Sequence, residues 1–227
     1  MQEKFVFMSD AKQKIRWYET WTFLIFICII VPLTFRSLLF SPYHIPSASM
    51  KETLLIGDFI VVNKSAYGYS RYSFPFSPPL FEGRIRGVEP KRGDIVVFRP
   101  PSQLNTDFIK RLIGIPGDRV QVKKGRLYLN GAPISRTYVG EVHAVTDGVK
   151  EVFRQYLELL PRQDGTFITY EVLDLTQDGR LDNTPEYTVP EGHYFMAGSH
   201  KDSFDSRYKS IGYVKDSDII GSIYTIL

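Results

Sequence analysis

The sequence predicts an all-β fold: antiparallel sheets forming a main β-core, a smaller inserted β-region, and one N-terminal transmembrane helix ahead of both. Three observations predict it. A long uncharged run lies near the N-terminus, short β-branched or alternating runs dominate everything after it, and the period of an amphipathic helix is scarce there.

The anchor comes first. From Thr20 to Phe35 the chain reads TWTFLIFICIIVPLTF without a charge, and apolar character resumes after Arg36 at Leu38, Leu39 and Phe40. A span of about 30 Å needs roughly 20 helical residues. A helix over residues 20–40, with Arg36 snorkelling to the headgroups, supplies them. Trp17, Tyr18 and Trp21 suit the interfacial belt, and Pro32 is a place for a kink. Lys12, Lys14 and Arg16 outweigh Glu19 on the near flank, so positive-inside counting places residues 1–19 in the cytoplasm and the remainder outside. A cleavable leader would show a similar basic start and apolar run. The small-x-small stretch Ser47-Ala48-Ser49, however, lies about 14 residues beyond Phe35, across Pro42 and Pro46, too far for such a leader.

Beyond the anchor, strands are expected at Phe59–Asn63, Asp94–Phe98, Asp107–Ile115, Arg119–Lys123, Arg126–Leu129, Thr166–Leu173, His193–Ala197 and Ile219–Ile226. Turn chemistry punctuates them at Lys91-Arg92-Gly93-Asp94, Pro116-Gly117-Asp118 and Lys124-Gly125. Val152–Leu160, ending before Pro161, is the one stretch expected as a short helix. Composition divides the chain into a core of 41–128 with 191–227 and a more polar inserted region at 129–190. The aromatic stretch Tyr69–Phe81, YSRYSFPFSPPLF, either dips into the membrane interface or packs on the domain's own sheet.

Composition narrows the function. With 227 residues the chain holds one substantial core and at most a small satellite. A formal charge of +3, dispersed rather than striped, argues against a nucleic-acid partner. The single cysteine, Cys28, sits in the apolar run, so an internal disulfide is excluded and no thiol-based metal or redox site is expected. His44, His143, His193 and His200 form neither a metal-ligand spacing nor a defensible Ser-His-Asp arrangement. No cofactor and no metal are expected.

A serine and a lysine remain. Ser47 and Ser49 follow Pro46 in IPSASM, with Met50, Leu54 and Leu55 giving that segment something to bury. In DFIKRLI, strand alternation sets Phe108, Lys110 and Leu112 on one face. Lys110 either reaches solvent along its stem or is buried among apolar neighbours. Burial that lowered its pKa from about 10.4 to about 8 would correspond to roughly 3 kcal/mol and make it a base near neutral pH. Two further Ser-x-x-Lys spacings, Ser9–Lys12 and Ser206–Lys209, lack the companion elements of penicillin-recognising enzymes.

Four blocks together resemble the bacterial type I signal peptidases, serine-lysine dyad proteases of the membrane. They are IPSASM at Ile45–Met50, LIGDFIVV at Leu55–Val62, the pair RGDIVVF and IKRLIGIPGD at Arg92–Phe98 and Ile109–Asp118, and GSHKDSFDSR at Gly198–Arg207. In the last block Ser199, His200 and Lys201 stand where the family usually has Asp, Asn and Arg.

The resemblance implies that Ser49 is the nucleophile and Lys110 its general base. It implies that the Ser47 hydroxyl and the Ser49 N–H form the oxyanion hole, that Ser203 orients the lysine, and that Asp205 and Arg207 form a structural ion pair. It further implies exported preproteins with signal peptides as substrates, cut after small-x-small sites, and membrane phospholipids as surroundings. The location implied is the bacterial cytoplasmic membrane, with the catalytic domain on its periplasmic side. A processing protease dedicated to one exported substrate, and a non-catalytic tethered β-domain that binds partners, are the alternatives the residues leave open.

Overall fold

The computed structural model describes residues 17–45, 50, 54, 57–74, 77–79, 81–100, 102–103, 106–146, 149–174, 181–199 and 203–226. Its helix α1 (Trp17–Leu38) turns apolar side chains outward along the stretch from Trp21 to Phe35. A helix of this length, greasy all round and packed against almost nothing, is that of a single-pass membrane protein. The helix stops two residues short of the expected Phe40. The Ser41 hydroxyl donates to the Arg36 carbonyl at 2.7 Å, and Pro42 drives the residue before it out of the helical region.

The strands follow as β1 (Phe40–His44), β2 (Phe59–Asn63), β3 (Ile95–Phe98), β4 (Phe108–Gly114), β5 (Arg119–Lys123), β6 (Arg126–Leu129), β7 (Ala132–Pro133), β8 (Ser135–Thr146), β9 (Val149–Pro161), β10 (Phe167–Asp174), β11 (Tyr187–Thr188), β12 (His193–Ala197), β13 (Val214–Lys215) and β14 (Ile219–Ile226). A seven-stranded sheet runs in the order β1-β2-β14-β3-β4-β12-β13, with smaller sheets β10-β9-β8 and β11-β5-β6-β7. The pairings within these sheets are antiparallel. Pro42, which cannot donate to a ladder, sits on the edge strand β1.

Alternation explains the elements. In β2, Ile60 and Val62 are fully buried while Phe59 faces out. In β3, Val96 joins a cluster with Phe98, Leu112, Met196 and Ile219, whereas Val97 joins another with Ile45, Met50, Leu54 and Ile60. A third cluster unites Ile113, Val120 and Phe195 with Leu160, Tyr170 and Val172 of the three-stranded sheet, so that sheet shares a core with β4 and β12. Each fully buried aliphatic or aromatic side chain contributes about 1.5–3 kcal/mol. Two tight turns need glycine: Gly93 (φ +94°) before β3 and Gly117 (φ +86°) before β5.

One element departs from expectation. Val152–Leu160 is not a helix but lies within β9, paired with β8 on one side and β10 on the other. The Gln, Leu and Glu residues that favour a helix locally are overruled by two ladders of hydrogen bonds, with Phe153, Glu158 and Leu160 buried. In the aromatic stretch, Tyr72 is buried and lies between Arg71 and Arg99, their guanidinium carbons 4.6 and 5.1 Å from the ring centroid. That ring packs on the domain, while residues 75, 76 and 80 fall outside the described ones.

Candidate active site

Strand β4 carries Lys110 in register opposite Val96 of β3. The side chain does not run out to solvent: Lys110 is 2% exposed. It lines a cavity of about 250 Å³ together with Ile45, Met50, Leu54, Phe108 and Phe204. Phe108 and Phe204 meet with ring centroids 6.1 Å apart. Ile45, Met50 and Leu54 are each at most 3% exposed and hold the cavity's far wall through their own cluster. The backbone ties this wall down, with Ile45 N–H donating to the Asp58 carbonyl and Gly57 N–H to that of Ile45, both at 3.0 Å.

Ser47 and Ser49 lie outside the described residues. Their flanks do not, since Ile45 before them and Met50 after them both line the cavity that contains Lys110. Residues 200–202, which hold most of the departure from the resembled block, are likewise outside the described set.

After β12 the chain folds back over β4 as a turn organised by one carboxylate. Asp205 is fully buried. It accepts from Arg207 Nε at 2.9 Å and Arg207 Nη2 at 2.8 Å, from the backbone N–H of Arg207 at 3.1 Å and of Gly198 at 3.2 Å, and from the Ser203 hydroxyl at 2.9 Å. Every one of these donors is matched to a buried carboxylate oxygen, and the side-on pair with Arg207 has the geometry guanidinium and carboxylate favour. Next to it, Ser206 Oγ accepts from the backbone N–H of Met196 at 3.0 Å, which pins the turn to β12.

The electrostatics of Lys110 follow. Burial lowers its pKa from 10.5 to about 8, Asp205 works against the shift, and Arg207 works with it. Desolvation is the largest of the three effects, and Arg207 offsets part of the pull of Asp205. At pH 7 about a tenth of such amines are neutral, roughly 300-fold more than for an ordinary lysine. The arrangement is therefore a proton acceptor in a mostly apolar cleft, suited to activating a hydroxyl.

The fold thus brings Lys110, Ser203, Asp205 and Arg207 to one place. Sequence reasoning missed Phe204 as a wall of the cleft. It also missed the pair Arg99–Asp107, 2.6 Å apart, beside the start of β4; the opposite charges at the two ends of the loop joining β3 to β4 were the signal available.

Comparison with known proteins supplies the family. The family profile "Signal peptidase, peptidase S26" matches residues 17–227. Signal peptidase I of Rickettsia akari (strain Hartford) is 40% identical over 207 residues, 89% of this chain and 76% of that protein. Signal peptidase I of Rickettsia typhi (strain ATCC VR-144 / Wilmington) is 38% identical over 209 residues, 90% of this chain and 76% of that protein. A crystal structure of a signal peptidase I from Enterococcus faecalis V583 is 28% identical, covering 60% of this chain and 97% of that one, with a TM-score of 0.33. With its apolar helix, its antiparallel β-core and a family match that runs from that helix to the last residue, the chain belongs to the signal peptidase I family, peptidase S26, the membrane-associated serine endopeptidases that cleave signal peptides from exported preproteins.

Proposed function

We propose that Ser49 and Lys110 are the nucleophile and general base with which this signal peptidase cuts exported preproteins after small-x-small sites. The observation that carries the assignment is the placement of Lys110. Its buried amine, with a pKa near 8, shares a cavity with Met50, and Ser49 is covalently next to Met50.

Neutral Lys110 Nζ takes the proton of Ser49 Oγ as that oxygen attacks the scissile carbonyl. The oxyanion forms between the Ser47 hydroxyl and the Ser49 N–H, each donor worth a few kcal/mol when preorganised (about 3–4). The Lys110 ammonium then gives its proton to the leaving amine, which departs as the new N-terminus of the mature protein. Water attacks the remaining Ser49 ester with Lys110 again as base, releasing the signal peptide's carboxylate and restoring Ser49. Ser203, whose proton is committed to Asp205, keeps oxygen lone pairs with which to steer the amine.

Position in the membrane belongs to the same reading. Residues 1–19 are cytoplasmic and the β-core is periplasmic, on the strength of Lys12, Lys14 and Arg16 before the helix. The cleft then lies near the bilayer surface, where a leader peptide emerges.

Mass spectrometry of a detergent-solubilised preprotein incubated with wild type, Ser49→Ala and Lys110→Met tests the assignment. One cut after a small-x-small site, lost in both folded variants, is expected. Cleavage that survives either substitution would remove that residue from the dyad.

A further inference from the structure

A second and larger cavity, about 770 Å³, lies between the end of α1 and the main sheet. Arg36, Lys64, Arg71 and Arg99 line it, with Asp107 the only acidic residue among its described walls. That carboxylate is held by Arg99 Nε at 2.6 Å and faces the Tyr43 hydroxyl as well. One carboxylate thus faces four cations among the described walls: it is paired with Arg99 and acts on Lys64, while Arg71 also meets Asp218 on its far side.

Lys64 is the most telling of these. It is 7% exposed, and its Nζ donates to the Ser73 carbonyl at 2.9 Å. Burial first, then the positive charge of Arg36, depresses its pKa to about 8. A buried cation set beside other cations is costly until an anion joins them.

The position says which anion. Leu33, Arg36 and Ser37, from the closing turns of α1, form part of the wall. With that helix across a bilayer, the cavity opens at the depth of the headgroups, where the phosphate of the lipids is the abundant anion. We propose that this cavity binds the phosphate of one anionic glycerophospholipid, with Arg36, Lys64 and Arg71 as donors and Leu33 against the start of an acyl chain. Tyr43, His44 and Asp107 line both this cavity and the cleft of Lys110. A bound headgroup therefore braces β1, the strand leading to Ser49, through the wall the two cavities share.

Native mass spectrometry of the full-length protein, released from detergent with phosphatidylglycerol, phosphatidylcholine or inorganic phosphate, tests the site without any substrate, so its outcome stands apart from the Ser49–Lys110 assignment. One phosphatidylglycerol is expected to stay bound in preference to phosphatidylcholine. Lys64→Met and Arg71→Gln are each expected to weaken retention about fivefold or more, with helix and sheet content unchanged by circular dichroism. Should Lys64→Met fail to fold, the less buried Arg71→Gln carries the result. Equal retention of both lipids, undiminished retention in Arg71→Gln, or displacement of lipid by millimolar inorganic phosphate would overturn the proposal, the last by assigning the cavity to free phosphate.

Discussion

Arg207 grips Asp205 by both carboxylate oxygens, at 2.9 and 2.8 Å, beneath a lysine that is 2% exposed. The consequence is chemical. Asp205 pulls the lysine's pKa up and Arg207 pushes it down, so with both in place desolvation dominates and lowers the amine to about 8.

The pH dependence of cleavage follows directly. With Lys110 as the proposed base the active form is the neutral amine, so kcat/KM rises with pH along a limb centred near 8. Between pH 8 and pH 6 it should fall roughly 50-fold. A stopped assay on a synthetic preprotein across pH 6 to 10 reads this; a limb centred near 6, with a flat rate above 7, would point to a different base.

Stability should move the other way when the lysine is removed. With its folded pKa below its unfolded one, Lys110 makes the unfolded state bind more protons between about pH 8 and 10.5. Native stability therefore rises with pH across that window, and the penalty is fully present below it. Lys110→Met should abolish cleavage yet raise stability at pH 7 by up to about 3 kcal/mol. The gain should shrink towards zero near pH 10.5 in thermal melts recorded across the range.

Changing either partner beneath the lysine should shift the rate profile in opposite directions. Arg207→Met leaves Asp205 uncompensated and moves the limb to higher pH, while Asp205→Asn leaves Arg207 and moves it lower. Both variants also lose stability, by about 3–5 kcal/mol, because one buried charge is stranded. Profiles of residual activity, normalised for folded protein, check the signs.

In the proposed mechanism Ser203 acts through Lys110, as a positioning residue. Ser203→Ala is expected to reduce kcat by about 10- to 100-fold with little change in KM, and Ser203→Thr, which keeps the hydroxyl, should recover part of the loss. Steady-state kinetics on both variants separate this from a folding defect, which would lower the active fraction without moving the pH limb.

On the face of β4 opposite to Lys110, Arg111 stacks on the ring of Tyr170 at 4.6 Å, and the Tyr170 hydroxyl donates to buried Glu158 at 2.7 Å. Tyr170→Phe should cost about 1–3 kcal/mol in chemical denaturation while leaving kcat within about twofold.

Strands β2, β5, β6, β12 and β14 were legible to the residue, because β-branched alternation closed by Gly, Pro or charged turns specifies them locally. The stretch inside β9 was not, because only the partners β8 and β10, set by long-range pairing, outweigh the helix preference of its Leu, Gln and Glu residues. The same division runs through the site. Composition, the apolar run and the four motif blocks determined by themselves a membrane-anchored β protein of this family, with Lys110 on an apolar strand face. How deeply that lysine is buried, that Phe204 closes its cleft, and that Arg207 pairs with Asp205 below it were decided by the tertiary structure alone. Desolvation and charge pairing depend on which atoms surround a group in space, and residues nearly a hundred positions apart meet around Lys110 only once the turn after β12 has folded over β4.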